Sequence, residues 1–170
     1  MSYHIISFSK ALLPLHLQYT VNSVPLSRVN PIKDLGVLID SELTSRDHIE
    51  YICTRARKII GFIKRTTTDF KKCGAIIHLH KTIVLPVLNY ASPVRSPHHA
   101  YEVNKLESVQ HTFLRYIALK AGTPMDWWDH DYSKVMSQFK IPTLASVRMT
   151  NDVRLAFNII NQNLNCPELF

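Results

Sequence analysis

Seven apolar residues, Ile49, Ile52, Cys53, Ala56, Ile59, Ile60 and Ile63, recur at spacings of three and four along one stretch of the chain. An α-helix, with its period of 3.6 residues, brings such positions onto one face. The spacing therefore predicts an amphipathic helix of about six turns whose apolar stripe must dock on something. Each fully buried isoleucine contributes roughly 1.5–3 kcal/mol, which makes that docking the main constraint on the fold. Thr44-Ser45-Arg46-Asp47 reads as a capping-type start, with a hydroxyl three residues ahead of a carboxylate. Arg55, Arg57, Lys58, Lys64 and Arg65 fall off the stripe, on its flanks or opposite it.

Before this helix the pattern is that of strands. Residues 3–8 form a short β-rich run, and residues 15–21 alternate apolar and polar with period two. Asn22-Ser23 is a plausible hairpin turn into Val24-Pro25-Leu26, where Pro25 limits the strand to an edge or a strand start. After Asn30-Pro31 comes a third apolar run, residues 32–40, with Gly36 inside it. A glycine there marks a bulge or the close approach of another backbone.

After the first helix, a second is expected over about 73–91, kinked or restarted at Pro86, which removes a donor and clashes one turn back. A third, about 100–120, would bury Val103, Leu106, Val109, Phe113, Leu114 and Ile117 and end at Gly122-Thr123-Pro124. A short helix over 131–139 and a last one over about 144–162, with Val147, Val153, Phe157, Ile159 and Ile160 apolar, complete the reading. The expected class is α+β: a small N-terminal antiparallel β unit (1–43), a mostly α-helical bundle (44–121) and a C-terminal helical extension (122–170).

The net charge of +7 is unevenly spread. Residues 1–43 hold three basic and three acidic side chains, whereas residues 44–82 hold nine basic and three acidic. The rest of the chain adds eight basic and seven acidic. An excess concentrated in one segment suggests a polyanion partner, most economically nucleic acid. The same charges also suit a solvated helix face. Cys53, Cys73 and Cys166 are too few and scattered for a disulfide framework and include no C-x-x-C pair. No run approaches the ~18 apolar residues of a membrane span, and the first ten residues lack a small-residue cleavage tail. A soluble, intracellular protein with no membrane partner is the expectation.

Self-contained active-site chemistry is missing. Asp126, Asp129, His130 and Asp131 crowd beside Trp127 and Trp128, a donor set of the kind that binds a hard or borderline metal; loop acids more often cap the next helix, and Asp131 is placed to do so. His98-His99 diverge as neighbours, and His78 and His80 face different directions on a helix. No Gly-rich phosphate loop, G-x-S-x-G, H-E-x-x-H or zinc spacing occurs. No catalytic residue, metal ligand set or cofactor is assigned to the chain.

Five ordered blocks carry a family resemblance. They are residues 31–40 (PIKDLGVLID), His48-Ile49, residues 56–65 (ARKIIGFIKR), residues 84–92 (VLPVLNYAS) and residues 106–115 (LESVQHTFLR). In this order and at these distances the chain resembles the C-terminal third of reverse transcriptases from non-LTR retrotransposons of the jockey type. The resemblance covers essentially the whole chain, more weakly after Gly122. It departs from the family at Arg95, where a tryptophan is usual, and at Val147, where an arginine is usual.

The resemblance implies a fragment of an RNA-directed DNA polymerase. The family's fingers and palm, with the aspartates that hold Mg2+, lie upstream of the blocks matched here, so the chain alone is not expected to be an enzyme. Lys33, Asp34, Leu35, Gly36 and Val37 match the turn that grips the primer, where a glycine lets backbones approach closely. The basic helix resembles the start of the thumb. Arg55, Arg57, Lys58, Lys64, Arg65, Lys71 and Lys72 would contact phosphates of an RNA–DNA template–primer duplex, positioning it without reading sequence. The missing fingers and palm are the implied protein partner, and a nuclear or cytoplasmic location follows the family. The alternative is a non-catalytic interaction module, or an inert remnant, with no nucleic-acid role.

Overall fold

The apolar stripe lies along one side of helix α1, Arg46–Thr66, with His48, Ile49, Ile52, Cys53, Ala56, Ile60 and Ile63 buried and Ile59 half-buried. The computed structural model describes residues 4–6, 8, 18–97, 99–123 and 131–164. The start of α1 differs from the capping box that Thr44 and Asp47 suggest. Ser45, the N-cap, bonds the carbonyl of Ser96 instead (3.3 Å). The Thr44 hydroxyl and N–H both donate to the Asp40 carboxylate. A carboxylate in the preceding turn thus takes the hydroxyl that a capping box would use.

The second helical stretch runs as α2 (Cys73–Leu79), a π-helical turn (His80–Val84) and α3 (Leu85–Asn89). Pro86 has no N–H to give, and its ring crowds the carbonyl one turn back. The chain answers with a widened turn, in which the Leu85 N–H reaches the His80 carbonyl five residues before it. The expected break at Pro86 is therefore a π-helical turn that precedes the proline. Helix α4, Ala100–Ala121, buries Leu106, Val109, Phe113, Leu114 and Ile117. It ends where Gly122 turns to φ +65°, and the N–H groups of Gly122 and Thr123 bond Leu119 and Ala118.

Helix α5, Ser133–Phe139, follows Asp131, whose Oδ1 accepts from the Ser133 N–H at 2.9 Å, the capping role its position suggests. Helix α6, Leu144–Ile160, is capped by Thr143, whose hydroxyl accepts from the Ser146 N–H. Tyr132, Val135, Ile141 and Leu144 join one continuous core with the stripe of α1, Ile76, Val84, Leu88 and the inner face of α4. Residues 132–144 therefore pack on the same core as the bundle. The outer part of α6 departs from expectation: Val153, Phe157 and Ile160, which look like core positions by composition, are exposed. The helix docks through Leu144 and Arg148 instead, and those three side chains lie on its opposite side.

The β unit consists of three two-stranded ladders. β2 (Thr20–Val21) and β3 (Val24–Pro25) form an antiparallel hairpin around Asn22-Ser23, both at positive φ, as a tight two-residue turn requires. β1 (His4–Ile5) pairs with β4 (Ser27–Arg28) in parallel, beside the antiparallel hairpins of an α+β fold. Residues 15–17 of the expected alternating strand lie outside the described residues. β2, β3 and β4 are exposed on both sides, so nothing sustains strands longer than two residues. The run 32–40 is not one strand but a hairpin of β5 (Ile32–Asp34) and β6 (Val37–Ile39), and it is this hairpin that rests on α1.

Candidate nucleic-acid interface

The turn of the β5–β6 hairpin is Leu35-Gly36, at φ +44° and +86°. Gly36 adopts this conformation without a Cβ penalty. The open space above it is used within the chain: a Cβ there would sit 3.3 Å from Cε1 of Tyr90. The Tyr90 hydroxyl donates to the Leu35 carbonyl, so the residue that ends α3 holds the turn in place. From the other side, Val37 is buried, and the Leu38 N–H donates to Nδ1 of His48 on α1 (3.4 Å). Burial pulls the His48 pKa down, and nearby Arg95 adds to the effect, so the ring is a neutral acceptor at physiological pH.

Lys33 and Asp34 are neighbours on a strand and point to opposite faces. Lys33 reaches α1, where its Nζ donates to Tyr51 Oη at 3.0 Å and lies 4.7 Å from the ring centroid. Arg55, one turn beyond Tyr51, bears on the same hydroxyl. Hydrogen bonding and charge from Lys33, helped by Arg55, hold the Tyr51 phenol below its usual range. Lys33, Gly36, Tyr51, Ile52, Arg55, Pro86, Val87 and Tyr90 together line a cleft of about 400 Å³. Lys105 and Glu50 form the one ion pair among the described residues, so neither Lys33 nor Arg55 has a carboxylate partner there.

The other cations of the basic segment face elsewhere. Arg57 donates from Nη2 to Ser108 Oγ of α4 (3.3 Å), and Lys64 lies 5.6 Å from the Tyr116 ring centroid. Partial burial, then Arg115, pulls the Lys64 pKa down. Lys58 and Arg65 are exposed on the outer side of α1, and Lys71 and Lys72 are exposed in the link to α2. The five candidate cations on α1 thus wrap the helix instead of forming one patch, and the other two lie beyond its end. At 1.5 Å per residue, Arg55 to Arg65 spans about 15 Å, the C-terminal half of the helix.

Only Arg55 joins the hairpin residues. Of these, Lys33 and Gly36 line the cleft, Val37 is buried beneath the hairpin, and Asp34 and Leu35 are exposed at its tip. Tyr51 and Tyr90, the aromatic faces of the cleft, escaped the sequence reading. The i, i+4 relation of Tyr51 to Arg55 on one flank was the available signal. Arg95 is buried and structural: its Nη1 donates to the Thr44 carbonyl at 2.8 Å, beside the start of α1.

Of the residues considered for a metal, Asp126, Asp129, His130 and His98 fall outside the described segments, whereas Asp131, His99, His78 and His80 lie within them. A broader depression of about 710 Å³ between α4 and α5 includes His111, Tyr132 and Met136 and none of the candidate cations. No protein-family model, curated protein or solved structure matches the chain.

Proposed function

We propose that the chain is the grip-and-thumb portion of an RNA-directed DNA polymerase of the non-LTR type. Its own competence is then sequence-tolerant binding of a template–primer duplex. The observation that carries this reading is the pair Lys33 and Arg55, two cations without a carboxylate partner among the described residues, converging on Tyr51 where the hairpin meets the basic helix. Such a pair favours an anion between the two elements, and the adjacent tyrosine rings offer faces on which a sugar or base can rest. Lys58 and Arg65 on the outer side of α1, and Lys71 and Lys72 beyond its end, offer separate contacts to further phosphates.

The sequence contains no Asp-Asp pair of the kind with which the family holds its metal ions. The fingers and palm of the same polymerase are the proposed protein partner, and nucleotide incorporation is their task. The alternative, an interaction module without a nucleic-acid role, draws on a different observation, the uncovered apolar side of α6.

The test is binding of a labelled RNA–DNA duplex as a function of salt. Each lost phosphate contact should lower the slope of log K against log salt by about 0.9. The Lys33→Gln/Arg55→Gln double variant should therefore lower it by up to about 2, while Lys134→Gln, exposed on α5, leaves it unchanged. An unchanged slope in the double variant, or no binding at low salt, overturns the reading.

A further inference from the structure

Helix α6 has two unlike sides. Leu144 and Arg148 are buried against the bundle, and Asn151 on the same side donates from Nδ2 to Ser92 Oγ at 3.0 Å. On the opposite side Met149, Val153, Phe157 and Ile160 are 70%, 61%, 61% and 72% exposed. At about 100° per residue, these four fall within a stripe roughly 80° wide. The exposed residues around them, Ala145, Ser146, Thr150 and Ala156, carry no charge, and Asp152 and Arg154 lie outside the stripe on either side. A solvent-facing helix side would ordinarily be polar.

We propose that this stripe is the interface of a two-fold homodimer, in which α6 packs antiparallel on α6 of a second copy. The stripe is self-complementary in that direction. Reversing the helix about a point between Val153 and Phe157 sets Met149 opposite Ile160 and Val153 opposite Phe157. The smallest of the four side chains then faces the bulkiest, as an isologous contact needs. Ala145 and Ala156 along one edge let the two helices approach.

The area fits a second copy. Four side chains exposed to this degree present on the order of 400–500 Å² of apolar surface, the size of patch that marks an interaction site. Paired across the axis with their uncharged neighbours they bury about 1,000 Å², the lower bound of a specific interface. Charge narrows the occupant further. The chain carries +7, so two copies approach with least repulsion through a face that has no cation. The same lack of cations makes the stripe unsuited to a nucleic-acid backbone.

Sedimentation equilibrium of the full 170-residue chain tests the proposal. A monomer–dimer equilibrium with a dissociation constant on the order of 10 µM is expected for an interface of this size. Val153→Glu and Phe157→Glu, each at an exposed position, should raise that constant at least tenfold while helical circular dichroism and the urea midpoint stay unchanged. Dimerisation should hold or tighten in high salt, whereas duplex binding weakens. A monomer throughout the concentration range overturns the proposal. So does a dimer or larger oligomer that Phe157→Glu leaves intact.

Discussion

His80 sits in the π-helical turn with its ring fully buried and stacked on Phe113, 3.9 Å between centroids and 15° between planes. Neither Nδ1 nor Nε2 has a hydrogen-bond partner among the described residues. Burial, with a smaller contribution from Lys81, pushes its pKa from 6.5 down to about 4. An unfolded chain binds a proton at this histidine below pH 6.5, and the folded chain does so only near 4. Between those values the unfolded state holds more protons, so stability rises with pH. The full contribution is present above 6.5 and is lost as the pH falls towards 4.

At 1.36 kcal/mol per pH unit, that window amounts to about 3 kcal/mol, a large share of the 5–15 kcal/mol that holds a typical domain together. Wild type alone does not isolate the effect, because burial and Arg95 lower the His48 pKa in the same direction. His80→Phe does isolate it: the ring on Phe113 is kept and the two unpartnered nitrogens are removed. Urea unfolding followed by circular dichroism, from about pH 7 to about pH 4.5, gives the comparison. The variant should be at least as stable as wild type near pH 7, and its advantage should widen by about 1.4 kcal/mol per unit below pH 6.5. A gap that stays constant with pH would refute the reasoning.

Two further outcomes are expected. Gly36→Ala places a side chain at φ +86° and 3.3 Å from the Tyr90 ring, so it should cost about 1–3 kcal/mol, more than Tyr90→Phe, which removes only the bond to Leu35 at about 0.5–1.5 kcal/mol. Urea midpoints rank the two, and the reverse order would contradict the tight seat of the turn. Burial raises the Cys53 thiol pKa to about 11, whereas Cys73 is only partly buried. Iodoacetamide should therefore alkylate Cys73 in the native protein and Cys53 only after unfolding, as read by peptide mass spectrometry. Equal labelling of the two would show that the α1 core opens.

The candidate site was legible in the sequence only in part. Arg55 and Lys33 are visible as cations, one off a helical stripe and one in a strand. Nothing local says that they meet at Tyr51 while Arg57 and Lys64 turn towards α4. That separation depends on which neighbour each flank of α1 receives. Gly36 announces a position that needs room, but Tyr90, more than fifty residues later in the chain, is what occupies the room. Close approach to a glycine is the same physics whether the neighbour is a nucleic acid or a tyrosine.

What the sequence determined by itself is what local periodicity and local sterics control. The stripe from Ile49 to Ile63, the Asn22-Ser23 turn and the Gly122 helix end follow from spacing and backbone preference alone, because their causes lie within a few residues. The tertiary structure decided the rest. Pro86 forbids a regular turn, and the choice of a π-helical turn suits a chain that also places Val84 and Leu88 in the core beside α1. Helix α6 offers apolar residues on two sides, and only docking through Leu144 and Arg148 determines that Met149, Val153, Phe157 and Ile160 face outward. Burial is a property of which surfaces meet, and two helices of the same hydropathy pattern differ in it as soon as one of them has a neighbour on only one side.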